Sequence, residues 1–207
     1  MKKSIMFLII FFHLSIFQCF AQQNKVEDLI DSVNKTAEKF SQDFIQLSAD
    51  LDTAVKSEER ATAKFDKMLK SVDSVLNQLG DNSDIWQQSE ALLKQFENNR
   101  ENSQKKATSP SAPAWWKKSV KKWAVLATKL RKVRDDILSQ RAKLMSSKKD
   151  ILDSKDIAID QIKLGDAENA VQQMIKIRDH LKTINNDLQN IVKETKQINL
   201  TNKAPTS

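Results

Sequence analysis

Apolar side chains recur along this chain at alternating intervals of four and three residues, a pattern typical of helices that pack on helices. From Val26 to Leu79, fifteen of the sixteen positions in this count are apolar, although apolar residues make up only 40% of the chain. The positions are Val26, Ile30, Val33, Ala37, Phe40, Phe44, Leu47, Leu51, Ala54, Glu58, Ala61, Phe65, Met68, Val72, Val75 and Leu79. At the exception, Glu58, we predict a register-setting polar contact or exposure at a bend.

Two later segments carry related patterns. Residues 166–200 repeat the seam at Ala167, Ala170, Met174, Ile177, Leu181, Ile184, Leu188, Ile191, Thr195 and Ile198. Residues 115–164 have a heptad series at Leu130, Ile137, Leu144, Ile151 and Ala158, but basic residues fill the complementary positions Arg134, Arg141, Lys148 and Lys155. Apolar residues directly after the series (Leu138, Met145, Leu152 and Ile159) widen the stripe. We therefore expect this helix to pack against more than one neighbour, or to have one side exposed to solvent.

Helix-breaking residues divide the chain into four predicted helices, at about 24–79, 84–106, 115–164 and 166–200. Gly80 and Gly165 offer left-handed stops, and their short turns favour antiparallel neighbours. Residues 107–114 form a loop of Pro, Ser and Ala, and residues 201–207 form a polar tail. The sequence predicts an all-α fold. We expect an elongated antiparallel helical bundle or coiled coil of three to four long helices, forming one domain over residues 22–200.

The first 21 residues have the features of a cleaved signal peptide. Lys2 and Lys3 precede a short apolar run, and Cys19 and Ala21 place small residues before Gln22. This pattern directs export. An uncleaved anchor is an alternative that the short run disfavours. A lipoprotein acylated at Cys19 is another, and Gln18 fits that site poorly. We expect a periplasmic, outer-surface or extracellular protein.

Composition argues against catalysis. After cleavage the chain keeps one histidine, His180, and no cysteine, and there is no Gly-rich phosphate loop. Zinc sites need clustered Cys and His ligands, and nucleophilic catalysis needs a base beside the nucleophile. We predict a non-enzymatic protein with no catalytic residues, no metal and no cofactor.

Positive charge is concentrated in one Trp-rich segment. From Asn102 to Arg134 there are ten basic residues and no acid, while the whole chain carries only +7. On a helix, lysines and tryptophans here fall on opposite faces, as in membrane-surface helices. The candidate site for an anionic surface comprises Trp115, Trp116, Lys117, Lys118, Lys121, Lys122, Trp123, Lys129, Arg131, Lys132 and Arg134. The alternative is that the tryptophans cap the bundle against Trp86 and Phe96.

These observations favour a structural or protein-interaction component of the cell envelope or exterior. It would act through a protein partner, or through self-association along its heptad seams. The second hypothesis is a lipid- or membrane-surface-binding protein that uses residues 115–134, with an acidic polysaccharide as another anionic surface. A pore-forming toxin is disfavoured because no long apolar hairpin follows the leader. Nucleic acid is disfavoured because export separates the chain from most of it.

Overall fold

The computed structural model describes the backbone of residues 2–49 and 51–203, and the side chains from Lys25 onward except those of Asp50, Asp52 and residues 204–207. The fold is all-α. Its helices are α1 (Lys2–Ser48), α2 (Leu51–Ala54), α3 (Glu58–Gln78), α4 (Asp84–Ala107), α5 (Ala114–Lys163) and α6 (Ala167–Lys203). The predicted leader falls in the first part of α1. The side chain of Cys19, the candidate lipidation residue, lies outside the described residues.

The predicted helix over residues 24–79 is broken into α1, α2 and α3. Ser57 starts the third piece, because its side-chain oxygen accepts a hydrogen bond from the backbone N–H of Arg60. Glu58 and Glu59 follow in the first turn, where carboxylates favour the helix dipole. Glu58 is thus exposed beside a bend, and its carboxylate lies 3.5 Å from the ammonium of Lys163.

The helices form four antiparallel rods. α1 runs antiparallel to α3, with Lys39 donating to Ser74 at 3.0 Å and Ser71 donating to Asp43 at 2.8 Å. α5 packs on α3 and α4 on one side and on α6 on the other, and α1 closes the ring by packing on α6. This is the up-and-down arrangement of four-helix bundles. With 50 residues, α5 is about 75 Å long at 1.5 Å per residue.

One rod consists of two helices placed end to end, which corrects the prediction at Gly80. α3 and α4 make few contacts with each other, and both lie along α5. Gly165 alone among the glycines has a positive φ, 77°, and it closes α5 with Asp166 donating to the carbonyl of Gln161 at 2.8 Å. The Gly80 turn therefore joins successive segments of one rod, whereas the Gly165 turn reverses the chain.

The predicted seam positions of the first and last segments form the core. Every seam residue from Val26 to Leu79 except Glu58 is buried or half-buried, and so is every one from Ala170 to Ile198. The prediction was wrong for Ala167, which is exposed at the start of α6. The largest fully buried side chains include Phe40, Phe65, Phe96, Met68, Leu126, Leu144 and Ile151. Since the burial of apolar surface is the main favourable term in folding, this shared core holds the rods together.

The apolar residues that widen the stripe of α5 do not extend the core. Leu138, Met145 and Leu152 are exposed, Met145 by 63% of its surface, and Ile159 is half-buried. The neighbour on the other side is reached instead through Val133, Gln140 and Ser147, which are buried. α5 therefore packs against two neighbours, which was one of the two alternatives that its sequence pattern left open. The residues that contact the second neighbour differ from the predicted ones.

Substitutions of two adjacent residues of α5 test which face of this helix is buried in the core. Leu144→Ala should lower the free energy of unfolding by about 2–5 kcal/mol, because Leu144 is fully buried and its loss leaves a cavity. Met145→Ala should change it by less than about 0.5 kcal/mol, since Met145 is exposed. Urea unfolding followed by circular dichroism measures both values, and equal losses would contradict the described face of α5.

Candidate functional site: the basic tip of the α4–α5 hairpin

The basic tip is the end of the bundle where α4 stops and α5 begins. We define it by Lys105 and Lys106 on α4, and Trp115, Trp116, Lys117, Lys118 and Lys121 on α5. The loop between the helices is held by a hydrogen bond from Ala112 N to the carbonyl of Ser109 at 2.9 Å. Because the hairpin is tight, lysines from both helices meet at one end of the molecule.

Backbone electrostatics add to the positive charge of the basic tip. α5 starts after Pro113 without a side-chain cap and without an acid in its first turn. The first N–H groups of an uncapped helix carry a partial positive charge. Lys117, Lys118 and Lys121 are exposed and form no ion pair within the described part of the chain. The tip therefore concentrates charge that nothing described neutralises.

Two stacked indoles lie among these lysines. The ring centroids of Trp115 and Trp116 are 3.8 Å apart, with 31° between the ring planes. The ammonium of Lys106 lies 4.4 Å from the centroid of the Trp116 ring, a cation–π contact. Trp116 is half-buried, but 47% of the Trp115 surface is exposed. An exposed aromatic ring beside lysines can contact a partner with both apolar and charge-assisted interactions.

Trp123 has a packing role, as the bundle-capping alternative expects for this residue. Its ring centroid is 6.0 Å from that of Phe96, and its indole N–H donates to Ser119 Oγ at 3.1 Å. Ser119 in turn shares a 3.0 Å hydrogen bond with the buried Ser103 of α4. The guanidinium of Arg134 lies 4.3 Å from the centroid of the Trp86 ring, and both Trp86 and Trp123 pack against the hydrophobic core.

Most of the remaining candidate residues have partners inside the bundle. Lys122 donates to the backbone carbonyl of Asn202 at 2.7 Å, and Lys129 to Thr201 Oγ1 at 2.8 Å. Arg131 pairs with Glu97, and Lys132 pairs with Glu194. The predicted site thus divides into two parts. From Lys122 to Arg134 the basic side chains bond to neighbouring helices, although Arg131 and Lys132 stay exposed, whereas Trp115, Lys117, Lys118 and Lys121 are exposed without such bonds among the described residues. The prediction missed Lys105 and Lys106, which the loop brings to the same place.

A second group of polar side chains joins α5 to α6. Burial raises the pKa of Asp136, whereas the hydrogen bond from Lys132 lowers the pKa of Glu194. Further along, Asp187 accepts two hydrogen bonds, one from Lys143 at 2.6 Å and one from Gln140 at 3.0 Å. The bond from Lys143 is the main cause that lowers the pKa of Asp187. These contacts fix one helix against the other.

Other candidate sites for a metal ion or a small ligand have weaker support than the basic tip. Within the described residues, no group of three or more His, Cys, Asp or Glu side chains is placed to hold a metal ion. His180 is exposed, and its Nδ1 lies 3.9 Å from Asp150. A groove of about 240 Å³ between α1 and α3 is lined in part by Lys39, Asp43, Ser71 and Ser74. These residues are hydrogen-bonded in two pairs, Lys39 to Ser74 and Ser71 to Asp43.

In the part of the chain that the structure describes, none of the helices combines the length and hydropathy that crossing a bilayer requires. The sequence matches no protein-family model and no curated protein, and the fold matches no solved structure.

The α5–α6 contact predicts a pH dependence. Because the pKa of Asp187 is lowered in the folded protein, its stabilising effect is present at neutral pH and is lost as the pH falls through the carboxylate range. Asp187→Asn should therefore reduce stability at pH 7 by less than about 1 kcal/mol, since both partners are partly exposed to solvent. The difference from the unmodified protein should shrink on acidification below about pH 4.

Denaturant unfolding at pH 7, 5 and 3 measures this effect. Asp153→Asn is the matched control, because Asp153 is exposed on the same helix as Lys143. It should change the free energy of unfolding at pH 7 by less than about 0.5 kcal/mol. A deficit of Asp187→Asn that stays constant from pH 7 to pH 3 would argue against the contact with Lys143.

Proposed function

We propose that this protein is a non-enzymatic, exported coiled-coil bundle that acts as a structural or protein-interaction component of the cell envelope or exterior. The observation that supports this most is the single helix α5, along which α3, α4 and α6 all pack. A rod-shaped bundle of this kind holds its two ends about 75 Å apart, and its exposed side chains are accessible to other molecules. It is suited to bridging or contacting other molecules.

The coiled-coil part of the proposal rests on the seams. Residues spaced by alternating four and three are buried along α1, α3 and α6, which is the spacing that keeps a narrow stripe facing a partner helix. The export part rests on the basic, apolar and small residues of the first 21 positions.

Export predicts a defined mature N-terminus. The protein recovered outside the cytoplasm should begin at Gln22, and Ala21→Leu should block cleavage because the position before the cut requires a small residue. Intact mass spectrometry reads both outcomes. Cys19→Ser is the control, since it keeps a small residue at the third position before the cut and should leave the mature mass unchanged.

Two results would contradict this expectation in different ways. A mature protein that begins at Cys19 with an added acyl mass, lost in Cys19→Ser, would establish the lipoprotein alternative. An unprocessed chain confined to the cytoplasm would remove the export part of the proposal.

A second function, binding to an anionic lipid surface, is favoured by one observation. Trp115 is 47% exposed and sits among the lysines of the basic tip. Indole rings favour the headgroup region of bilayers, and each basic residue close to an anionic surface contributes about 1 kcal/mol. In this function the basic tip would dock on the membrane while the bundle stays folded.

Vesicle co-sedimentation tests this second function. The residue 22–207 protein should pellet with anionic but not neutral vesicles at low salt, and high salt should release it. The triple variant Lys117→Gln, Lys118→Gln, Lys121→Gln should bind about a hundredfold more weakly, by the sum of three such contributions. The control Lys176→Gln, Lys182→Gln, Lys193→Gln removes three exposed charges from α6 and should bind normally. The absence of binding under every condition would eliminate the lipid function.

A further inference from the structure

Along the middle of the bundle, opposite charges are paired within the molecule. α5 meets the α3–α4 rod through Lys155–Asp66, Lys148–Asp73, Arg141–Asp81 and Arg131–Glu97, and it meets α6 through Lys143–Asp187 and Lys132–Glu194. Each pair places a basic side chain of α5 against an acid of a neighbour. These pairs compensate the charges at the contacts of α5, although exposed lysines without an ion pair among the described residues also lie on the flanks, among them Lys176, Lys182 and Lys193.

The two ends are not compensated, and they have opposite signs. The basic tip lies at one end. At the other, where α3 begins, α5 ends and α6 begins, residues 56–60 and 153–168 contain seven acidic and four basic side chains. We call this region the acidic end. Its exposed acids without an ion pair among the described residues are Glu59, Asp153, Asp156 and Glu168. Lys56 and Arg60 offset part of this charge, and the acids remain in excess.

Each end also carries an exposed apolar side chain. Trp115 stands in the basic tip, and Leu164, which is 84% exposed, stands at the turn between α5 and α6 in the acidic end. An apolar centre with a polar rim is the usual anatomy of a protein interface. The two ends are thus complementary in charge, and each also has an exposed apolar side chain.

We propose that the basic tip of one copy of this protein docks onto the acidic end of the next. The proposal rests on the interaction function given above, and it names a second copy of the chain as the partner. Because the two surfaces are different and lie at opposite ends, the contact repeats without closing and produces linear chains of rods. The surfaces are small and charged, so the contact is weak and salt-sensitive.

Charge reversal at one end and then the other tests this contact. In the tip-reversed variant, Lys117→Glu, Lys118→Glu and Lys121→Glu make both ends acidic. In the end-reversed variant, Asp153→Lys, Asp156→Lys and Glu168→Lys make both ends basic. Sedimentation velocity at low salt should show concentration-dependent growth of the residue 22–207 protein, which about 0.5 M salt abolishes. Each variant alone should remain monomeric, and an equimolar mixture should associate again.

The mixture distinguishes an end-to-end contact from a folding defect, because two misfolded proteins do not restore each other. Circular dichroism checks each variant, and the control Lys176→Glu, Lys182→Glu, Lys193→Glu should associate as the unmodified protein does. Association that survives both reversals, or a mixture that stays monomeric, overturns the proposal. A monomeric unmodified protein also overturns it. That result leaves the interaction function in place, whereas an unprocessed cytoplasmic protein removes the export part of the proposed function whatever the association state.

Discussion

The register between α5 and the α3–α4 rod is the constraint on which the rest of the structure depends. Four basic residues of α5 at intervals of seven, Arg134, Arg141, Lys148 and Lys155, face Trp86, Asp81, Asp73 and Asp66 in order. A slip of one residue would break all four contacts and turn the buried seam outward. Surface ion pairs contribute little stability singly, but a row of them discriminates between registers. One unbroken helix thereby aligns two separate helices end to end.

The sequence predicted the core better than it predicted the chain path. The four-and-three spacing identified the buried positions of α1, α3 and α6, because burial of a stripe is a local periodic property. The break between α1 and α3 left only Glu58 as a signal, since Leu51 and Ala54 continue the seam through the bend and are buried. Gly80 carried a misleading signal. Whether a short turn reverses the chain or continues it depends on which neighbour the next helix packs against, and that neighbour is distant in sequence.

The same limit applies to the candidate site. Ten basic residues between Asn102 and Arg134 look alike in the sequence. Their difference lies in partners that are far along the chain: Arg131 meets Glu97, Lys132 meets Glu194, and Lys122 meets Asn202. The basic residues of α5 that suggested a solvent-exposed side of the helix mostly form ion pairs with residues that are distant in sequence. Local pattern located the charge, but only the packing of α4, α5 and α6 shows which lysines remain available.

The separation of the ends gives the unpaired charges their significance. Electrostatic interactions between exposed charges are screened over about 8 Å at physiological ionic strength, while α5 holds the two ends about 75 Å apart. The acidic end therefore cannot neutralise the basic tip of the same molecule. Ion pairs at the contacts of α5 compensate part of the charge along the flanks, whereas the two ends keep net charges of opposite sign. In the proposed contact between copies, a long, internally paired rod presents the excess of lysines at one hairpin to the acidic end of another molecule.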